Sequence, residues 1–124
     1  MKELDPLWLE WPHTRVRRRL ETDAGVVRKF VVQLEYNPGA DSVERAPDDW
    51  LVVARFDHDT TPGGGHDVSE EGLHLDIYRD GERFRRSRDF PSVPLSKAMS
   101  YCEEFFENNG DRLVARFKQW EAFN

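Results

Sequence analysis

The sequence predicts an α+β fold, an antiparallel β-meander of about five strands with two C-terminal helices packed on one face. Apolar and polar residues alternate in short runs between residues 15 and 88, which is the pattern of half-buried strands. Asp80-Gly81 separates two such runs and suits a tight hairpin turn. After Pro94 the apolar period changes to about 3.6, which is the period of a helix.

The first two predicted strands, residues 15–20 and 26–36, flank a turn at 22–25 that contains Asp and Gly. Residues 50–58 and 72–79 are the next two strands, and the fifth follows Asp80-Gly81. The alternation places Trp50, Val52, Ala54 and Phe56 on one face of their strand.

Three further segments flank or connect these strands. Residues 7–11, which contain two tryptophans, are too apolar to be free and are expected to pack against the sheet. Asn37-Pro38-Gly39 is expected to end the second strand, and the acidic segment that follows, up to Asp49, is expected to be a surface loop. Residues 60–66 are expected to be mobile because they contain three consecutive glycines.

The C-terminal region predicts two helices separated by Asn108-Asn109-Gly110, a helix stop. Asp111 is the expected cap of the second helix, and Phe123 lies on its apolar face. Cys102 is expected to be a small buried hydrophobic residue. The predicted core consists of Phe30, Val32, Leu34, Val52, Phe56, Leu75, Ile77, Met99, Phe105 and Phe117.

Length and composition narrow the class of protein. The 124 residues predict a single domain, residues 1–124, and the net charge of −6 argues against nucleic-acid binding by the whole surface. No segment has the apolar length of a membrane span or a signal peptide, so we expect a cytoplasmic protein that does not bind a membrane. The arginine-rich and acidic composition suggests a GC-rich, salt-adapted source.

Charge is unevenly distributed along the chain. Residues 12–30 have six basic and two acidic residues, a balance of +4, whereas residues 37–76 have two basic and ten acidic residues, a balance of −8. Residues 77–90 return to +2, with five arginines against three acids. Two interpretations follow: mutually paired charges on a solvated surface, or a basic binding surface.

The candidate site lies on the polar faces of two strands. His74, Asp76 and Tyr78 share one face of their strand, and the leucines and isoleucine between them share the other. Arg55 and Asp57 lie on the face of their strand opposite the aromatic residues. If the aromatic side is the core, these five residues share the open face of the sheet, either as a site or as a solvated surface.

Two kinds of chemistry are compatible with these residues. Histidine and aspartate are metal ligands, and the strand spacing could bring His58 and His74 together. The spacing matches no metal motif, however, and we expect no cofactor. Alternatively, metal-independent RNA cleavage requires a base, an acid and cations for the phosphorane charge. His74, Asp76 and Tyr78 would transfer protons, and Arg55, Arg83 or Arg85 would supply the cations.

Several blocks resemble an uncharacterised domain family seen in haloarchaea, namely residues 18–25, 30–36, 53–58, 72–79 and 98–104. Residues 50–108 more distantly resemble TumE-type toxins of toxin–antitoxin systems, in the order of a strand, Arg55-Phe56-Asp57, a histidine-containing loop, short strands and a helix. Those toxins have a denser histidine cluster after this element, where this chain has only His66 and His74.

Two functional hypotheses remain at this point. The first is a small cytosolic interaction or regulatory domain with a protein partner, in one form half of a toxin–antitoxin-like pair. The second is a metal-independent ribonuclease-like toxin that acts on RNA through the open face of the sheet. Whether the protein is an enzyme and its oligomeric state both stay open.

Overall fold

In the computed structural model, which describes residues 1–39, 50–61 and 66–121, six antiparallel strands form one sheet in chain order. The strands are β1 (Lys2–Glu10), β2 (Thr14–Asp23), β3 (Val26–Tyr36), β4 (Leu51–Asp59), β5 (Leu75–Arg79) and β6 (Glu82–Ser87). The predicted α+β class and antiparallel meander are confirmed. The sheet has one strand more than predicted because the N-terminal segment does not merely pack on the sheet but pairs with β2.

Two tight hairpin turns lie where the sequence predicted them. Ala24 and Gly25 join β2 to β3 with φ values of 51° and 78°, and Asp80 and Gly81 join β5 to β6 with φ values of 54° and 77°. Positive φ at both central residues is the requirement of the type I′ turn, whose twist matches that of the strands it joins. Asp-Gly meets this requirement at little cost because a short polar side chain can hydrogen-bond locally in this conformation, whereas the methyl side chain of Ala24 cannot.

The helices are α1 (Val68–Glu71) and α2 (Leu95–Trp120), so the C-terminal region is one continuous helix instead of two. Gly110 lies inside it, because this is where α2 crosses β1: a Cβ atom on Gly110 would come within 2.5 Å of Leu9 Cδ1. The Asn109 side chain donates a hydrogen bond to the carbonyl of Phe105, one turn earlier. The predicted stop at Asn108–Gly110 and the predicted cap at Asp111 are therefore wrong, since glycine here allows close packing rather than termination.

The core fills the space between one face of the sheet and α2. At its centre Phe56 contacts the rings of Phe90, Phe105 and Phe106 at centroid distances of 5.3 to 5.5 Å. Cys102 is fully buried, as predicted, and burial raises the pKa of its thiol. Among the predicted core residues, Met99 and Phe105 are partly buried, and the fully buried ones are Phe30, Val32, Leu34, Phe56, Leu75, Ile77 and Phe117.

An irregularity in β4 reverses the alternation near its start. Leu34 lies opposite Ala54, but the next residue, Glu35, lies opposite Val52, so that Val53 is an extra residue of β4. Val53 is buried in the core in place of Val52. The prediction that Trp50 and Val52 share the core face with Phe56 is therefore wrong.

Some predictions concern residues outside those that the structure describes. They include residues 62–65 of the loop predicted to be mobile, residues 40–49 of the acidic loop, and Phe123. In the part of the chain that is described, no helix has the length and apolar character needed to cross a membrane.

Candidate functional site

The face of the sheet opposite α2, here called the open face, has a row of polar side chains across five strands. The residues directly opposite one another in neighbouring strands are, in order, Arg17, Gln33, Arg55, Asp76 and Arg86. Directly opposed residues in antiparallel strands point to the same side of a sheet. The pairing therefore places three guanidinium groups on alternate strands of one surface.

Two buried carboxylates are held by arginines of this surface. Asp76, which is only 3% exposed, accepts a hydrogen bond of 2.8 Å from Arg86 Nε. Glu35, which is 4% exposed, accepts bonds from Arg15 Nε at 2.8 Å and from Gln33 Nε2 at 2.7 Å. Buried charges need such partners because desolvation penalises the ionised form. The pairs also fix the arginine side chains in position.

Arg55 lies at the centre of the open face and contacts two of the other predicted site residues. Its Nε lies 3.8 Å from Asp57 Oδ2, and its guanidinium carbon lies 5.5 Å from the centroid of the Tyr78 ring. Burial raises the pKa of Tyr78, with Arg55 opposing this effect as the second cause. The phenol is therefore a weaker acid than a free tyrosine.

His74 is enclosed at the edge of this row. His74 is 2% exposed. Its Nε2 lies 3.7 Å from Asp57 Oδ1, a distance too long for a hydrogen bond. Neither ring nitrogen has a hydrogen-bond partner among the described residues. Burial, followed by the charges of His66 and Arg86, lowers the pKa of His74 to about 4. The imidazole is therefore neutral at neutral pH.

His66, which was not predicted as a site residue, packs directly on His74, with ring centroids 3.5 Å apart. The short helix α1 (Val68–Glu71) follows it, capped by Asp67, whose Oδ1 accepts a bond of 2.9 Å from the Ser69 amide. Asp67 followed by Glu70 three residues later is a helix-start pattern that would have predicted a fixed position for His66. This pattern was missed because the glycine-rich segment before His66 predicted a loop.

His58 does not meet His74, contrary to what the strand spacing suggested. It lies opposite Phe30 on the core side of the sheet, stacks on that ring at 5.4 Å, and accepts a 3.0 Å hydrogen bond from the Val68 amide. Burial lowers its pKa. Within the described ranges, no group of three or more His, Cys, Asp or Glu side chains is arranged to hold a metal ion.

The five predicted site residues, Arg55, Asp57, His74, Asp76 and Tyr78, do lie together on the open face. With His66, Glu71 and Arg86, Asp57 and His74 line a cavity of about 290 Å³. Two of the three groups proposed for proton transfer, His74 and Asp76, are almost entirely enclosed, whereas Tyr78 is partly exposed.

The two arginines named as further cations point to different sides of the sheet. Arg83 lies opposite Tyr78 on the open face. Arg85 lies opposite the core residue Ile77 and is directed towards Arg116 of α2. Arg85 is therefore not available to the cavity near His74.

A second feature of the open face is a cluster of tryptophans at its β1 edge, here called the tryptophan patch and consisting of Trp8, Trp11 and Trp50. The Trp8 ring lies 4.5 Å from Trp11 and 5.8 Å from Trp50 between centroids. Trp8 and Trp11 are 40% and 69% exposed. Arg15, directly opposite Trp8, places its guanidinium carbon 4.0 Å from the Trp50 ring centroid.

The tryptophan patch borders an open cavity of about 420 Å³. Arg15 and Arg17 form part of its wall, together with the carboxylates of Glu3 and Glu35. Sequence reasoning missed the patch because the irregularity in β4 turns Trp50 away from the core. The alternation of Leu7, Trp8 and Leu9 was the available signal for an N-terminal strand with Trp8 on the opposite face from its leucines.

Comparison with known proteins assigns a family to the chain. The model of a domain of unknown function (DUF7718) matches residues 1–123. The chain belongs to this family. The expectation of an uncharacterised domain family is thereby confirmed, while the haloarchaeal source and the resemblance to TumE-type toxins stay predictions. No curated protein and no solved structure matches the chain.

Proposed function

We propose that this protein is an interaction domain without catalytic activity, which binds a protein partner through the tryptophan patch and the adjacent Arg15 and Arg17. The observation that supports this most strongly is the exposure of Trp8 and Trp11 next to fixed arginines. Tryptophan and arginine are the residues most enriched at the energetic centres of protein interfaces. A partner that covers these rings would remove their apolar surface from water.

The ion pairs beneath the patch favour binding as well. Arg15 is held by Glu35, and Arg17 donates a hydrogen bond of 2.9 Å to Glu3. Side chains that are ordered before association lose less conformational entropy when the complex forms. The matching carboxylates also leave the patch nearly neutral, which suits a protein surface better than the phosphates of a nucleic acid.

A more specific version of this proposal is a regulatory role within a toxin–antitoxin-like pair. It is supported by the likeness of residues 50–108 to TumE-type toxins and by the burial of His74 and Asp76, two of the three groups considered for proton transfer. In that form, the protein acts by binding its partner in the cytoplasm.

The proposal is tested by crosslinking in the native host, followed by calorimetric titration of the purified partner. Trp11→Ser should weaken association by tenfold or more, the effect of losing about 1.4 kcal/mol of binding free energy. Phe84→Ser is the matched control, because Phe84 is also an exposed aromatic residue, 52% exposed, but contacts Trp120 of α2. Equal affinities of the two variants for the partner would contradict the proposal.

Fluorescence locates the binding surface independently. The sequence has four tryptophans, so a Trp120→Phe protein emits only from the tryptophan patch. Partner binding should shift this emission to shorter wavelength and protect it from acrylamide quenching, since the rings leave water. Unchanged emission and quenching in the complex would place the interface elsewhere.

The second candidate function is RNA cleavage, favoured by the convergence of Arg55, Asp57 and His74 beside the 290 Å³ cavity. Its test is expression of the wild-type protein and His74→Ala in the native host, with growth and RNA integrity as readouts. Arg55→Gln is a second variant, because its partly exposed side chain can change with less effect on folding. RNA decay with the wild type alone would support cleavage, and intact RNA in all three strains would exclude it.

A further inference from the structure

A groove on the other side of the sheet, between β6 and α2, differs chemically from the open face. It is a cavity of about 220 Å³, here called the β6–α2 groove. Its apolar floor consists of Leu75, Ile77, Phe90, Phe105 and Leu113. Its polar rim includes three arginines, one from β6 and two from α2.

The three rim arginines, Arg85, Arg112 and Arg116, line the same groove. Within the described ranges, none of them forms an ion pair with an acidic side chain, and Arg112 only donates a 3.3 Å hydrogen bond to Asn109. Asp89 also lines the groove but lies outside ion-pair distance of all three. Burial, followed by the charges of Arg112 and Arg85, lowers the pKa of Arg116.

Three arginines of the open face are paired differently. There, Arg15, Arg17 and Arg86 each have a carboxylate partner within 2.9 Å. Three arginines around one groove repel one another unless an anion occupies it. The excess of three guanidinium groups over one carboxylate is +2, which matches the charge of a phosphomonoester near pH 7, about −1.5 to −2.

We propose that the β6–α2 groove binds an organic phosphomonoester, with the phosphate between the three arginines and a small apolar substituent on the floor. Guanidinium groups recognise phosphate oxygens through paired, charge-assisted hydrogen bonds. The aromatic and aliphatic floor contacts the substituent. The groove is smaller than the roughly 300 Å³ lower limit of common drug-sized pockets, so the substituent is about the size of a phenyl group.

The test is titration of the full chain with phenyl phosphate, observed by amide NMR shifts. Inorganic phosphate and benzyl alcohol are the half-ligands, and each should bind more weakly than phenyl phosphate. Arg116→Gln and Arg112→Gln should each weaken phenyl phosphate binding about tenfold or more through the loss of a charge-assisted hydrogen bond. Arg112 is solvent-exposed, so its variant keeps the fold even if Arg116→Gln does not.

The matched control is Arg83→Gln, which removes an arginine of the same strand from the opposite face and should leave the affinity unchanged. A short phosphotyrosine peptide distinguishes a free small molecule from a modified protein as the source of the ligand. The proposal is overturned if phenyl phosphate does not bind, if inorganic phosphate binds equally well, or if Arg83→Gln weakens binding as much as Arg112→Gln does.

Discussion

The two faces of the same sheet are built from different chemistry. On the side of α2, Phe30, Phe56 and Phe106 are fully buried and contact other rings. On the open face, the corresponding positions of the same strands have arginines and acids, such as Arg55 next to Phe56. One residue step along a strand therefore separates a side chain that stabilises the fold from one that is available for binding.

Because the two faces differ in this way, mutations on them should have different effects. Changes on the core side should lower the free energy of unfolding, whereas changes on the exposed part of the open face should affect association with little effect on folding.

Phe106→Ala should lower the free energy of unfolding by about 3–5 kcal/mol, the usual cost of removing a fully buried phenyl ring. Urea denaturation measures this change. Phe84→Ala provides the comparison, because its ring is 52% exposed and its loss should cost much less. Similar costs for the two variants would show that the aromatic cluster around Phe56 is not the centre of the core.

Acidification should destabilise the protein through His74. Its pKa is about 4 in the folded protein against 6.5 in an unfolded chain, so the unfolded state takes up the proton first as pH falls. The contribution of neutral His74 is fully present above about pH 6.5 and is lost between pH 6.5 and pH 4, about 3 kcal/mol in total.

The measurement is the difference in unfolding free energy between wild type and His74→Gln as a function of pH. The variant should lose less stability than the wild type over this window, because it lacks the titrating group. Parallel curves for the two proteins would show that the His74 environment does not suppress its protonation.

The break predicted between two C-terminal helices is absent because glycine serves the packing of one continuous helix there. Asn108-Asn109-Gly110 resembles a helix end in sequence, but Gly110 is needed where α2 meets Leu9. Leu9 lies in β1, a strand that was not predicted from the sequence. The contact between Leu9 and Gly110 could therefore not be predicted either. Local patterns of polar and apolar residues do not predict long-range contacts of this kind.

This contact is tested by Gly110→Leu, which should destabilise the fold by about 1–3 kcal/mol through overpacking. Helix propensity alone predicts the opposite sign, since leucine favours a helix over glycine. In the double variant with Leu9→Ala, much of the loss should be recovered. A stabilised single variant would contradict the proposed reason for glycine at this position.

The candidate site was predictable where alternation was regular and not where it was interrupted. Alternation is regular in β5 and in β4 after Ala54. It therefore correctly placed Arg55, Asp57 and Tyr78 together on the open face. The extra residue Val53 in β4 turned Trp50 to the open face, and nothing in the sequence marks that position as irregular. The position of Trp50 in the tryptophan patch therefore depends on the extra residue in β4, which the residue types there do not predict.

Ala24→Asn should stabilise the fold by about 0.5–1 kcal/mol, because asparagine tolerates the positive φ of this turn better than alanine. Thermal denaturation at fixed pH checks the effect. Asp80→Asn, at the equivalent position of the β5–β6 turn, should change stability less because aspartate already suits this conformation. A destabilised Ala24→Asn variant would mean that the turn is held by something other than local backbone preference.

The division between the two faces is tested most directly by Trp11→Ser, with stability and partner binding measured on the same preparation. Trp11 is 69% exposed, so its loss should change the free energy of unfolding by less than about 0.5 kcal/mol. Association with the partner should weaken at least tenfold. A variant that unfolds readily, or one that binds its partner as tightly as the wild type, would contradict the proposal that the tryptophan patch is a binding surface.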